Sequence, residues 1–402
     1  MKICIANDFA CPNGGASKVA ITEAMGLSES GHDVYYFAES GPIDESLMNS
    51  NVSVVCANRP DILSNPSRIN ACIRGIANKH AYDDLSDLIN RFDEDWIVHV
   101  HSYSKALSPY IFKIGEKTSV QLYHTLHDYF IGCPQGGFFD KQKESVCKLK
   151  GGSFQCLKTH CDARSFAQKV WRFGRWVYQE NVFSEIACLP QFIAVSEYLK
   201  SRLLNYLPAG AKVDVLDNPI DAVASSTINV EENHVYGFVG RLVAEKGIFH
   251  YAEAIRKSGK RGVIIGDGDE SVIQRVKEIC PNLEIKGWLQ GDALLSEISS
   301  FRALIFPSIY YEGQPLTPLE HMALGIPVVS SNTNAAIDYM EDGVNGFVYD
   351  GDSVDSLVAA IEKIEERGVA GKLGARAKAW YKGRDWSIDG HIRKLERLYG
   401  IR

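Results

Sequence analysis

A chain of 402 residues exceeds what one hydrophobic core usually organises, so two domains are expected. A net charge of −7 and a pI near 5.9 exclude nucleic acid as the main partner, and 45% hydrophobic against 23% charged residues is the balance of a soluble globular protein. No apolar run reaches transmembrane length, and MKICIANDFA is too short for a secretory signal; the ten cysteines then read as thiols or metal ligands in a reducing, cytoplasmic setting. Strand patterns at 2–6, 33–38, 52–56, 96–101 and 119–123 alternate with helical ones, and a glycine-rich loop over 7–17 follows the first. Such alternation predicts a parallel, doubly wound α/β sheet. Residues 126–163, rich in Gly, Cys and Lys, break it and read as an irregular insertion. A helix over 163–189, a strand at 192–195, a helix over 197–206 and a strand at 213–216 come next, then a polar stretch at 225–233 that marks a boundary. The second half repeats the alternation, with strands at 235–240, 262–265, 283–286, 303–306, 328–330 and 347–349. The expected organisation is one Rossmann-like domain over 1–220, another over 221–384, and a terminal helix over 385–402. Trp386, Ile388, Ile392, Leu395 and Leu398 give that helix an apolar face to pack back on the first domain.

The densest chemistry lies in FPSIYYEGQPLTPLEHMALGIP, residues 306–327, with Glu312 and Glu320 at its poles. Thr317 as N-cap, Pro318 as the first helical residue and Glu320 as the third would form a capping box, which by itself accounts for Glu320. The other reading puts both carboxylates on sugar hydroxyls and the helix N-terminus on phosphate. Arg241 and Lys246, in the turn after the strand at 235–240, offer a guanidinium fork and a point charge suited to a diphosphate; a solvated Glu245–Lys246 pair is the alternative. Asp267-Gly268-Asp269 spells a metal-binding triplet, but it follows a strand and opens a helix, where Asp is an ordinary cap.

Two further features sit in and after the insertion. Cys133, Cys147, Cys156 and Cys161 could hold a structural zinc, although their C-x13-C-x8-C-x4-C spacing lacks tight C-x-x-C knuckles, and reduced thiols or a disulfide fit as well. In the helix over 163–189, Phe166, Val170, Phe173 and Val177 share a stripe, with Arg164, Arg172 and Arg175 opposite and Trp171 and Tyr178 beside them. An exposed basic and aromatic face over 164–178 suits an anionic membrane surface or a lipid-diphosphate acceptor; a solvated face with aromatics packed under the insertion is the alternative.

Gly240-Arg241-Leu242 with Glu245-Lys246-Gly247, Gly266-Asp267-Gly268 with Glu270, the E-x7-E of Glu312 and Glu320, and Gly325-Ile-Pro-Val-Val-Ser together resemble retaining glycosyltransferases of family 4, which have the GT-B fold of two facing Rossmann-like domains. Asn13-Gly14-Gly15-Ala16, His99-Val-His101-Ser, Leu126-His127-Asp128-Tyr129 and Val195-Ser196-Glu197 extend the resemblance over nearly the whole chain. It implies transfer of a sugar from a UDP-, GDP- or ADP-linked donor to a saccharide or lipid-linked acceptor, with retention of configuration, in surface polysaccharide or glycolipid synthesis. The site would be cytoplasmic or peripheral on the cytoplasmic membrane face. The resemblance assigns the ribose hydroxyls to Glu320, the donor sugar's hydroxyls to Glu312 and the pyrophosphate to Arg241 and Lys246, with no metal or other cofactor needed for catalysis. Backbone groups across Gly313, Gln314, Pro315 and Leu316, with those at Gly14, Gly15 and Gly240, would complete the anion site. His101 would take the sugar's 6-hydroxyl or the acceptor, while His127 stands even between that role and a structural one; His99 has the same facing as His101. Two departures stand out: His321 replaces a small residue, and Gln314-Pro315 replaces an aromatic-Gly pair, which leaves the donor sugar open. A GT-B epimerase or phosphorylase, or a non-catalytic nucleotide-sugar-binding protein, are the other readings.

Overall fold

The computed structural model describes residues 1–220 and 227–402. In chain order the strands are β1 (Lys2–Phe9), β2 (Val34–Ser40), β3 (Ser53–Cys56), β4 (Trp96–Val100), β5 (Val120–Leu126), β6 (Phe139–Asp140), β7 (Ser145–Val146), β8 (Gln191–Ala194), β9 (Val213–Val215), β10 (Val235–Val239), β11 (Arg261–Ile265), β12 (Glu284–Ile285), β13 (Phe301–Phe306), β14 (Val328–Ser331) and β15 (Gly346–Tyr349). The chain divides into two compact units, one of Met1–Phe138, Lys148–Pro219 and Trp386–Arg402, the other of Phe139–Cys147 and Ile220–Asp385.

The first unit carries a seven-stranded parallel sheet in the order β3-β2-β1-β4-β5-β8-β9. Every residue of β1, KICIANDF, is buried, as a central strand covered on both faces requires. Ile3 and Ile5 join Ile21, Ala24 and Leu27 of the helix Gly15–Glu29 in one cluster, which also takes in Ile392, Leu395 and Tyr399 of the helix Ile388–Tyr399. Gly26 makes that contact: a β-carbon there would lie 2.7 Å from Ile392 Cγ1, so only glycine lets the terminal helix approach this closely. Ile392, Leu395 and Tyr399 are all buried, and each such side chain contributes about 1.5–3 kcal/mol to the docking of the terminal helix.

The second unit carries a six-stranded parallel sheet in the order β12-β11-β10-β13-β14-β15. Parallel neighbours need crossovers, and the helices Ile248–Ser258, Leu316–Leu324 and Val354–Glu365 supply several of them. The antiparallel hairpin β6–β7, cut from the irregular insertion, groups with this unit. In both sheets the strand order reverses once, between β1 and β4 in the first and between β10 and β13 in the second. Loops leaving the two strands that flank such a reversal diverge and open a crevice at the strand C-termini.

Candidate functional site

In the second unit, β10 is followed by Gly240, Arg241 and a 3-10 turn over Ala244–Lys246, which Gly247 closes at φ 70°. A β-carbon on Gly247 would lie 1.9 Å from the Pro307 carbonyl oxygen, so the turn rests directly on the loop after β13. The Ile309 amide donates to the Glu245 carbonyl (3.0 Å) and ties the same two loops. Lys246 Nζ is thereby set 2.8 Å from Glu312 Oε2. Glu312 is buried, its other oxygen accepts from the Ser308 hydroxyl, and its carbonyl accepts from the Ala335 amide (3.2 Å). The Glu245–Lys246 pair read from the turn does not form, because Glu245 pairs with Lys141 on the β6–β7 hairpin, leaving Lys246 to Glu312. Arg241 is exposed, and its guanidinium makes no hydrogen bond or ion pair among the described residues. The Tyr310 ring lies 5.6 Å from Lys246 Nζ; burial, and then Glu312, push its hydroxyl well above the ordinary tyrosine value.

Beyond Gly313 and Gln314 the helix runs over Leu316–Leu324, with Pro315 at the N-cap and no side-chain cap. The capping box of Thr317 and Glu320 is therefore corrected. Thr317 is the second helical residue and Glu320 the fifth, two positions beyond the one from which a capping-box carboxylate reaches back. Pro318 fits at the third position because an amide there has no intrahelical acceptor to lose. Pro315 and Pro318 lack N–H groups, so the amides of Leu316 and Thr317 are the donors at this helix end. Glu320 is half-buried beside Tyr381, whose hydroxyl is raised by burial and then by this carboxylate. His321 faces the core: its Nδ1 lies 2.8 Å from the Thr317 carbonyl, its ring stacks on Phe301, and burial lowers it to about 4. That makes it a neutral packing residue. Asp269 occupies the N-cap position of the helix Glu270–Ile279, without a side-chain cap bond.

In the first unit, buried Asp8 at the end of β1 accepts the amides of Lys105 (2.9 Å), Ala106 and Leu107 (both 2.8 Å), and so shapes the loop after β4. Gly14 is the N-cap and Gly15 the first residue of the helix Gly15–Glu29, both exposed. His101, directly after β4, is 2% exposed, and its Nδ1 is 2.9 Å from Nε2 of His127. The two rings stack, and His127 is the one that is partly exposed. Behind His101 stands Glu23, with Oε2 3.1 Å from His101 Nε2 and Oε1 2.9 Å from His391 Nε2. His99 is bracketed by the hydroxyls of Thr125 and Tyr399, each at 2.7 Å. Sequence reasoning found His99, His101 and His127 but missed Glu23, His391, Thr125 and Tyr399. One signal was present: Glu23 shares a helical face with Val19, Ala20, Ala24 and Leu27, where a carboxylate needs a buried partner.

Two expectations around the insertion are corrected. The four cysteines do not gather into a zinc site. Cys147 belongs to the second unit and Cys133, Cys156 and Cys161 to the first, and among the described residues no three cysteine sulfurs lie within 4.8 Å of one another. Instead the fully buried Lys169 donates to Cys156 Sγ (3.3 Å), and burial raises Cys161 to about 11. Among the described residues, Glu23, His99 and His101 are the group whose donor atoms lie close enough to share a metal ion. The helix Phe166–Glu185 is turned the other way from its sequence reading. Phe166 (45%), Val170 (44%) and Val177 (41%) are exposed, whereas Arg175 is buried, donates to the Ser104 carbonyl (2.7 Å) and lies over the Phe130 ring. Arg172 pairs with buried Asp162 (2.9 Å), and the Trp171 indole donates to the Cys72 carbonyl. Carbonyls and carboxylates from distant loops turn Arg175 and Arg172 inward, while Arg164 stays exposed. No helix among the described residues is long and apolar enough to cross a membrane.

Residues 13–223 match the family model described as Glycosyltransferase Family 4. The chain belongs to that family. Residues 222–384 of this family 4 protein match the model for Glycosyl transferases group 1. Among curated relatives, a GDP-mannose-dependent alpha-mannosyltransferase of Corynebacterium glutamicum is 31% identical over 38% of this chain and 36% of its own length. One of the same description from Mycolicibacterium smegmatis is 25% identical over 54% and 60%. The chain thus spans about a third to three fifths of the length of these two relatives. A UDP-Gal:alpha-D-GlcNAc-diphosphoundecaprenol alpha-1,3-galactosyltransferase of Escherichia coli is 22% identical over 88% and 85%. Among solved structures, sucrose-phosphate synthase of Thermosynechococcus elongatus superposes with a TM-score of 0.68 (14% identity, 100% of this chain and 98% of that one). Anabaena Alr3699/HepE in complex with UDP gives 0.66 (16% identity, 100% of both chains). The fold of this family 4 chain is GT-B.

Proposed function

We propose that this protein is a retaining glycosyltransferase that moves a hexose from a nucleoside-diphosphate donor to a saccharide or lipid-linked acceptor in surface polysaccharide or glycolipid synthesis. What supports this most is the arrangement at the β10–β13 reversal: an ammonium already paired with a buried, hydroxyl-anchored carboxylate, next to an exposed and unpaired guanidinium. Lys246 and Arg241 neutralise the diphosphate as the glycosidic bond breaks, in the manner of fixed charges aimed at a departing anion. On donor binding Lys246 shares its charge with phosphate, while Glu312, still held by Ser308, accepts a sugar hydroxyl. The amides of Leu316 and Thr317 add helix-end donors for phosphate. Glu320, a turn deeper, takes the ribose hydroxyls. The relatives' names pair this family with both GDP-mannose and UDP-galactose, so the base and sugar are left to a donor panel.

The membrane reading is kept, with a different surface. Exposed Phe166, Val170 and Val177, with Phe154 at 68%, form the apolar side of a patch that also carries Arg164 and Lys158. Apolar side chains edged by cations suit the interface of an anionic bilayer and would bring the enzyme to a lipid-linked acceptor.

A panel of UDP-, GDP- and ADP-hexoses tests the function. One donor should raise Tm and be hydrolysed slowly without acceptor, and the product linkage, read by NMR, should keep the donor's anomeric configuration. A donor that binds but never releases its sugar, or an inverted product, would overturn the reading.

A further inference from the structure

The first unit carries a groove between the helices Arg68–Ile76 and Phe166–Glu185 and the loop that follows β3. It encloses about 330 Å3, at the small end of ligand sites. Ile62, Leu63, Ala167 and Trp171 give it apolar walls, and Arg68 and Arg164 stand in its lining. Glycine shapes one end: a β-carbon on Gly75 would lie 2.6 Å from Trp171 Cζ2 and 3.1 Å from Ile62 Cγ2, so the two helices and the loop come together there. The Trp171 indole donates to the Cys72 carbonyl (3.1 Å), which engages its one N–H and leaves the ring as an apolar surface.

The charges in this lining lack a partner. Arg68 is the first residue of its helix, and Arg164 directly precedes Ser165, the N-cap of the other. A helix N-terminus carries partial positive charge and favours carboxylates, yet neither helix has an acidic residue in its first turn, and each has a cation instead. Among the described residues neither guanidinium pairs with a carboxylate, and Arg68 has only the Leu63 carbonyl at 3.3 Å. The nearest acids along the chain are engaged elsewhere, Asp61 by the amides of Leu63 and Ser64, and Asp162 by Arg172. Two cations at two positive helix ends repel unless an anion comes between them. An anion with an apolar tail satisfies both halves of the lining, whereas a free sugar satisfies neither.

The Ile62 amide donates to the Lys105 carbonyl (3.0 Å) and the Lys105 amide to Asp8, which ties the groove wall to the loop after β4 that flanks the crevice of the first sheet. We propose that the groove holds the phosphate end of a lipid-linked acceptor, with the phosphate between Arg68 and Arg164 and the first segment of the chain along Ile62, Leu63, Ala167 and Trp171. The two guanidinium forks grip one phosphate group and hold the lipid beside the crevice that its sugar must enter. Ile69 (74% exposed) and Ile73 (60%), on the neighbouring face of the same helix, extend the apolar surface for the rest of the chain. This rests on the sugar-transfer reading and narrows its acceptor to a lipid phosphate.

Isothermal titration calorimetry of the full-length protein with farnesyl diphosphate, without donor, tests the site apart from the reaction. The probe should bind wild type and Lys246→Met alike, and should bind the double variant Arg68→Gln/Arg164→Gln about tenfold more weakly or worse. Both arginines are exposed, so the double variant should fold; Ala167→Trp, which fills the groove without changing its charge, should weaken binding as well. Equal affinity in either groove variant would overturn the proposal. So would loss of binding in Lys246→Met, which places the probe at the donor site, or binding of pyrophosphate or farnesol as tight as that of farnesyl diphosphate. Phosphatidylglycerol vesicles that sediment the wild type but not the double variant, with no binding of farnesyl diphosphate, would make the groove a bilayer contact and overturn the acceptor site. With the donor identified, the double variant should raise KM for a lipid-linked acceptor about tenfold and change kcat less. If farnesyl diphosphate binds through both arginines but no donor is turned over, the sugar-transfer reading fails and the lipid-phosphate site stands. If a donor is hydrolysed but farnesyl diphosphate does not bind, the groove proposal alone fails.

Discussion

Replacing Lys246 with methionine keeps the length of the side chain and removes its charge, which strands Glu312 in a buried position. At 2.8 Å the pair has a gross Coulomb energy of about 6 kcal/mol at an effective dielectric of 20. Most of that is offset by desolvation, and the surviving Ser308 hydrogen bond softens the loss, so a net destabilisation of about 2 kcal/mol is expected. For a unit of this size that is a fall in Tm of about 4–8 °C. The catalytic loss is separate. Withdrawing one fixed cation from a departing diphosphate should reduce kcat/KM by roughly a hundredfold or more. Combining Lys246→Met with Glu312→Gln divides the two effects, because a neutral amide no longer needs a counter-ion. Calorimetry should show most of the stability restored in the double variant, while transfer by a radiolabelled-donor assay stays as low as in the single one. If activity returned together with stability, Lys246 would be a structural partner of Glu312 and nothing more.

Buried neutral histidines should make this protein acid-sensitive. Burial lowers both His124, whose Nδ1 donates to the Val100 carbonyl, and His321 to about 4, against roughly 6.5 when unfolded. Their stability contributions are therefore fully present above pH 6.5 and are lost as pH falls towards 4, by about 3 kcal/mol each at the limit. Urea midpoints between pH 8 and 4 should follow that slope, and His321→Leu should flatten it; an unchanged slope would rule His321 out as a source. Gly247→Ala forces a β-carbon against the Pro307 carbonyl at a left-handed φ, and should cost about 2–4 kcal/mol in chemical denaturation along with most transfer activity. Substituting Val170 and Val177 by glutamate should abolish sedimentation with anionic vesicles but leave turnover of a soluble acceptor unchanged. Equal vesicle binding by this variant would remove the patch from the membrane reading.

The β-α alternation, the two sheets and the loops after β10 and β13 were legible in the sequence, since strand periodicity and glycine punctuation are local properties of the chain. Lys246 and Glu312 were both singled out from the residue types of their loops, and the structure pairs them at 2.8 Å. The start of the helix after Pro315 was misread by two residues because two prolines there allow more than one register, and packing selects among them. The face of Phe166–Glu185 was inverted for a similar reason. Apolar spacing predicts the inward side only if charged residues have nothing inside to meet, and Arg175, Arg172 and Lys169 meet Ser104, Asp162 and Cys156. The pairing of His391 with Glu23 lay beyond sequence altogether. Glu23 and His391 are 368 positions apart, and what joins them is the docking of the terminal helix on the first, a contact between surfaces that no local pattern encodes.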